Sequence, residues 1–180
     1  MYMLLKDGKQ KVLTLSYDDG ATQDIRLVEI MRKHGLKGTF NINSGSLFSD
    51  DAEQVRNLYL DFENELAVHT VTHPFLDRIK DSEVLTEVID DRNNIEKEFG
   101  KIIRGMAYPY GAYDDNIVEL LKKCGICYSR TAKSTESFEF PNEWLTIHPT
   151  CHHKNPKLME LAKRFAEEEI RQISENRKVV

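Results

Sequence analysis

Lys11-Val-Leu-Thr-Leu-Ser-Tyr17, then Asp18-Asp19-Gly20, then the run from Gln23 to His34, then Gly38-Thr-Phe-Asn-Ile-Asn43 form the stretch on which the fold turns. The first segment is rich in β-forming residues, alternates, and halts at a turn sequence. In the next, Ile25, Leu27, Val28, Ile30 and Met31 fall close to helical spacing, and Gly35 sits where a C-terminal cap belongs. The last reads as a short buried strand. Strand, helix and strand in close succession make a right-handed βαβ unit, whose two strands run parallel.

Outward from this unit the alternation continues. Ser44-Gly-Ser46 reads as a loop and residues 51–60 as a polar helix. A third strand, Glu65-Leu-Ala-Val-His69, stops before Pro74. Val84, Leu85, Val88, Ile89, Ile95 and Phe99 predict an amphipathic helix over 81–99, closed by Gly100. Lys101-Ile-Ile-Arg-Gly-Met-Ala107 predicts a fourth strand, broken at Tyr108-Pro-Tyr-Gly111. Asp114 or Asp115 can cap a helix over 116–124 that Gly125 ends. Ile126-Cys-Tyr-Ser-Arg-Thr131 and Trp144-Leu-Thr-Ile-His148 predict strands five and six, and a last helix covers 156–177, with Leu158, Met159, Leu161, Phe165 and Ile170 on its apolar side. This pattern places the chain in the α/β class with a parallel sheet. No glycine-rich segment has dinucleotide or P-loop spacing, and no repeat or linker divides residues 1–180, which read as a single domain.

The chain of 180 residues carries 25 Lys and Arg against 30 Asp and Glu, for a net charge of −5, with 40% hydrophobic and 31% charged residues. These proportions argue against disorder, and the negative balance argues against a nucleic-acid partner, which would need a basic face. No apolar run approaches a membrane span and the start is too short for a signal peptide, so the expected location is cytoplasmic. Cys124, Cys127 and Cys151 are too few for a disulfide framework and fit a reducing compartment.

Unusual polar residues gather just after the strand ends: Asp18 and Asp19, His69 and His73, Tyr108 to Tyr110, Arg130, His148. In a parallel β/α barrel those positions share one rim, where active sites are assembled. His69-Thr-Val-Thr-His73 can turn two imidazoles on one metal ion, with a carboxylate from another strand as third ligand. Each histidine alone reads equally as a packed or surface residue, and Asp-Asp-Gly alone as a turn with a helix cap. Together they divide the labour, one carboxylate binding metal and its neighbour acting as general base.

These residues resemble the polysaccharide deacetylases, the NodB-homology group of carbohydrate esterase family 4. Thr14-Leu-Ser-Tyr-Asp-Asp-Gly20 resembles that family's T-F-D-D-G block, His69-Thr-Val-Thr-His-Pro74 its H-[ST]-x-x-H-P block, and Tyr108-Pro-Tyr-Gly111 the end of its R-x-P-Y-G block. The resemblance runs over about residues 10 to 131. It implies a distorted (β/α) barrel, here of six to seven parallel strands and incomplete at its C-terminal end. It also implies a divalent metal, most often zinc, with cobalt or another divalent ion as alternatives, and hydrolysis of N-acetyl or O-acetyl groups on sugars. Carried over by residue, Asp19, His69 and His73 hold the metal, Asp18 is the catalytic base, and Tyr110 lends its backbone N–H to the oxyanion. The expected partner is an acetylated carbohydrate, and exposed strand edges in an open barrel make a homo-oligomer a reasonable expectation.

The departures are specific. The family's third block opens with an Arg that orients the base, and Ala107 stands there; Arg130, at the end of strand five, is the candidate substitute. The Asp-rich fourth block has no counterpart in Ser129 to Lys133. His148, in Leu145-Thr-Ile-His148, is the candidate general acid, with His152 and His153 as further rim candidates. Of the aromatics near the rim, Tyr108 is the candidate sugar contact, whereas Phe40 and Phe75 are assigned to the core. Two other readings stand beside the enzyme: a degenerate or truncated domain that binds metal or glycan without turnover, and an iron oxygenase triad, which expects a different, β-rich fold.

Overall fold

A computed structural model of the chain describes residues 11–47, 53–60 and 63–167. Five parallel strands, β1 (Ser16–Asp18), β2 (Thr39–Ile42), β3 (Glu65–Val68), β4 (Gly105–Ala107) and β5 (Tyr128–Arg130), lie in chain order and curl into an incomplete α/β barrel. Side chains demonstrate the curl. Strands spaced about 4.8 Å apart would leave β1 and β5 about 19 Å apart in a flat sheet. Yet Arg130 of β5 donates from Nε to Ser16 Oγ at 2.9 Å and from Nη2 to Asp18, both on β1.

The helices are α1 (Gln23–Lys33), α2 (Ser44–Leu47, a single turn where a loop is expected), α3 (Glu53–Leu60), α4 (Asp81–Phe99), α5 (Asp115–Lys123) and α6 (Leu158–Glu167). Local chemistry sets their ends. Lys80 N–H donates to Glu83 at 2.9 Å to open α4, and Gly100, at φ 62°, closes it. Asp114, of the two possible caps, accepts from Ile117 N–H at 2.8 Å to start α5. The core lies between sheet and helices, with Phe40, Ile42, Leu66, Val68 and Met106 against Val28, Met31, Val84, Val88, Ile95 and Leu121. Tyr59 of α3 packs between Phe40 and Phe99, with ring centroids 5.7 and 6.2 Å away.

The predicted strands are longer than the observed ones. The fourth shrinks to Gly105–Ala107 because Ile103 N–H is taken by the Glu96 side chain at 2.9 Å instead of a neighbouring strand. Gly105 is required there: a Cβ would lie 2.1 Å from the Tyr128 ring. The sixth strand is reduced to one parallel bridge. Trp144–Thr146 forms a 3-10 turn started by the Glu143 side chain, Ile147 pairs with Arg130, and Pro149, lacking an N–H, stops the ladder. In the last helix Leu161 is buried but Met159 is 76% exposed, so the expected apolar side is packed only in part; residues 168–177, with Ile170, lie outside the described ones, as do residues 51 and 52 of the expected polar helix. All three cysteines are free. Among the described residues no helix is long and apolar enough to cross a membrane.

Candidate metal centre

At the end of β1 the chain turns through Asp19, at φ 76°, and Gly20, at φ 63°. This left-handed step lets adjacent carboxylates serve different partners. Asp18 accepts from Arg130 and from Asn41 Nδ2, the latter at 2.9 Å. Asp19 faces the two histidines, with Oδ1 at 3.5 Å from Nε2 of both His69 and His73.

His69 directly follows β3 and is 2% exposed. Its Nδ1–H donates to the Ala107 carbonyl at 2.8 Å, which fixes the ring and leaves Nε2 with its lone pair. Burial holds its pKa below the ordinary histidine value, which favours the neutral ring, the form a metal ligand needs. Thr70 and His73, both at positive φ, fold the following loop back, and Thr70 Oγ1 accepts from His73 N–H at 3.1 Å. Glu87 of α4 accepts from Thr72 N–H and Oγ1–H at 2.8 and 2.6 Å, tying down the loop's outer side. Gly45 leaves room for this loop, since a Cβ there would lie 2.3 Å from the Val71 carbonyl oxygen.

The outcome is three ligand atoms converging from two loops, the two Nε2 atoms 3.1 Å apart and each 3.5 Å from Asp19 Oδ1. Ligands about 2.0 to 2.1 Å from a tetrahedral ion are separated by about 3.3 Å along each edge. A cation satisfies all three atoms at once; a proton satisfies one edge. Among the described residues this is the one cluster of its kind. Among the described residues, four of the five non-glycine residues at positive φ, Asp19, Thr70, His73 and Tyr110, lie in it or against it, backbone strain of the sort held at functional sites.

The remaining sequence-predicted residues divide. Arg130 comes to Asp18 and also donates from Nη1 to the Thr131 carbonyl at 3.1 Å, so three acceptors fix its guanidinium. Tyr110, in the Pro109–Gly111 turn, lies edge-on to the His73 ring at 4.4 Å and stacks on Phe75 at 3.9 Å. Phe75 thus belongs to the rim and not to the core, whereas Phe40 is buried as expected. Tyr108 is corrected as a sugar contact: it is 3% exposed, stacks on Tyr113, and donates its hydroxyl to the Leu145 carbonyl at 2.8 Å. A buried phenol needs that acceptor, and the bond anchors the turn before His148. His148 pairs through Nδ1 with Thr131 Oγ1 at 2.7 Å, beside Arg130. The sequence reading missed Asn41, although a polar residue alternating within a buried strand is a readable signal.

The family model described as polysaccharide deacetylase matches residues 5–129. The chain belongs to the polysaccharide deacetylase family. It is 28% identical over 117 residues to the chitooligosaccharide deacetylase of Bradyrhizobium sp. (strain ANU 289), covering 62% of this chain and 52% of that protein. It is 30% identical over 119 residues to the peptidoglycan-N-acetylmuramic acid deacetylase PdaC of Bacillus subtilis (strain 168), covering 64% and 25%. The chain therefore spans about half of the first relative and a quarter of the second. In fold it is similar to the polysaccharide deacetylase BC0361 from Bacillus cereus, with a TM-score of 0.69, 20% identity, and coverage of 83% of this chain and 50% of that one. A BA3943 mutant described as a CE4 family pseudoenzyme shares the fold at a TM-score of 0.61, 17% identity, and coverage of 87% and 61%. Fold alone therefore does not decide turnover.

Proposed function

We propose that the chain is a divalent-metal-dependent hydrolase that removes acetyl groups from acetylated sugars, N-acetylated ones foremost. The observation that carries the reading is Asp19, His69 and His73 at ligand spacing, beside an Asp18 held by a guanidinium. Three protein ligands with further positions open suit a catalytic zinc, and cobalt or another divalent ion is the alternative. Bound there, the cation supplies Lewis-acid polarisation and acidifies water.

The chain's own groups do the rest. Asp18, turned by Arg130 and Asn41, takes a proton from the attacking water. The backbone N–H of Tyr110 donates to the oxygen that becomes negative when water adds to the acetyl carbonyl. His148 returns a proton to the leaving nitrogen as the carbon–nitrogen bond breaks, giving acetate and a free amine. Water supplies both the hydroxyl of the acid and the proton of the amine.

A second reading has an observation behind it. With Ala107 where the family has Arg and the sixth strand reduced to one bridge, the domain fits a metal or glycan binder without turnover. Acetate release from short N-acetylglucosamine oligomers by the zinc-reconstituted chain separates the two. Turnover that both Asp18→Asn and His69→Ala abolish is the expected result. A chain that holds one zinc and releases no acetate across N- and O-acetylated oligomers overturns the enzyme reading in favour of the binder.

A further inference from the structure

Helix α4 buries one stripe through Val84, Val88 and Ile95, and the position on that stripe between the last two is Asp91, which is 0% exposed. A carboxylate is a costly occupant for a core position, where an apolar side chain would be cheaper to bury. Its two oxygens meet two different backbone donors. Oδ1 accepts from Ser44 N–H at 2.7 Å, just past the end of β2, and Oδ2 accepts from His69 N–H at 3.0 Å, just past the end of β3. Asn94, on the next residues of the same helix, braces the corner by donating to Ser44 Oγ at 3.1 Å.

His69 is thereby fixed at three of its polar atoms. Its N–H goes to Asp91, its carbonyl accepts from Asn43 Nδ2 at 2.6 Å, and its Nδ1–H goes to the Ala107 carbonyl at 2.8 Å. The fourth, Nε2, is the atom aimed at His73 and Asp19. We propose that Asp91 is a positioning residue for the metal centre: it clamps the His69 backbone to the β2 corner so that Nε2 arrives at ligand spacing. The inference rests on the proposed metal centre. Groups that orient metal ligands typically matter 10- to 100-fold in affinity when lost, and a ligand held through its main chain obeys the same requirement for fixed direction.

The test is zinc affinity, read by competition with a chelating dye, for the wild-type chain, Asp91→Asn and Val88→Ala. Val88 lies one turn away on the same buried stripe and has no polar side-chain atom, so its truncation lowers stability without removing the clamp. Asparagine turns an N–H₂ toward one of two N–H groups that need an acceptor. The expected result is zinc binding weaker by about 10- to 100-fold in Asp91→Asn, with Val88→Ala unchanged. The visible spectrum of the cobalt-loaded protein should change in the same variant only. If Asp91→Asn does not fold, Asp91→Ser, which keeps one accepting oxygen, is read against the same expectation. Affinity unchanged in the Asp91 variant, or lost equally in Val88→Ala, overturns the proposal. A wild-type chain that binds no zinc overturns the metal centre itself, and the clamp with it.

Discussion

The loop from His69 to His73 and the loop from His148 to His153 both leave the C-terminal edge of the sheet carrying imidazoles, and the fold holds them in different ways. In the first, His69 is fixed through its backbone and Nδ1, and His73 is fixed through its N–H and the flank of Tyr110. In the second, His148 rests on Thr131 Oγ1, while His152 and His153 lie exposed with ring centroids 4.1 Å apart, and His152 Nδ1 accepts from Lys154 N–H. A metal ligand must keep one direction through the whole reaction, and a proton donor has to meet its partner once in each cycle. The first loop has the fixity of the former, the second the looser hold of the latter.

The largest effect should come from deleting a ligand in the pinned loop. His69→Ala is expected to abolish stoichiometric zinc binding and bring acetate release to background, while His152→Ala leaves both at wild-type levels. Metal analysis after dialysis, beside the acetate assay, reads this directly. Zinc lost from His152→Ala would break the comparison, because it would move the metal to the other loop.

Next in size is His148→Ala. A general acid typically contributes about 10²- to 10⁴-fold, so kcat should drop within that range with zinc content unchanged. Arg130→Ala comes third, since Arg130 joins the two regions by gripping Asp18 from the strand that precedes Thr131. Hydrogen bonds to a charged group are worth about 1.5 to 3 kcal/mol, which corresponds to about 10- to 150-fold in kcat/KM. Arg130→Lys should recover only part of it, because one ammonium cannot reproduce a fork that meets Ser16, Asp18 and Thr131 together. Full recovery by Lys would mean that the charge alone matters.

What the sequence let one read divides along the same line. The candidate ligands announce themselves because Asp18-Asp19-Gly20 and His69 to His73 are compact motifs at strand ends, and helix α4 was legible to its last residue from apolar spacing and Gly100. The reach of Arg130 across the barrel mouth depends on how far the sheet curls, a property of all five strands together that local pattern does not carry. Tyr108 reads as a rim aromatic until the Leu145 carbonyl is seen above it. Asp91 did leave a trace, a carboxylate inside an apolar helical stripe, which a list of hydrophobic positions passes over.

The smallest effect concerns the ground beneath the pinned loop and is a matter of pH. Asp24, in the first turn of α1 just past the Asp18-Asp19 turn, is buried and accepts from the Tyr59 hydroxyl. Burial, with the nearby charges of Asp18 and Asp19 adding to it, pushes its pKa from 3.8 up to about 6, against the pull of the Tyr59 bond. The folded chain therefore keeps a proton between pH 4 and pH 6 that the unfolded chain has lost, so stability falls as pH rises through that interval and is level in this respect on either side. Asp24→Asn cannot ionise, and its amide oxygen still accepts from Tyr59. The full shift is worth about 3 kcal/mol, and solvent screening of the carboxyl and its exposed neighbours cuts this to about 1 to 2 kcal/mol. Thermal unfolding in chelator, which removes metal from the comparison, should show the variant gaining that much on the wild type between pH 4 and pH 6, or about 2 to 8 °C in Tm for a chain of this size. Parallel curves for the two proteins would place the Asp24 charge in contact with water, and the corner under the metal centre would then be less tightly packed than its geometry describes.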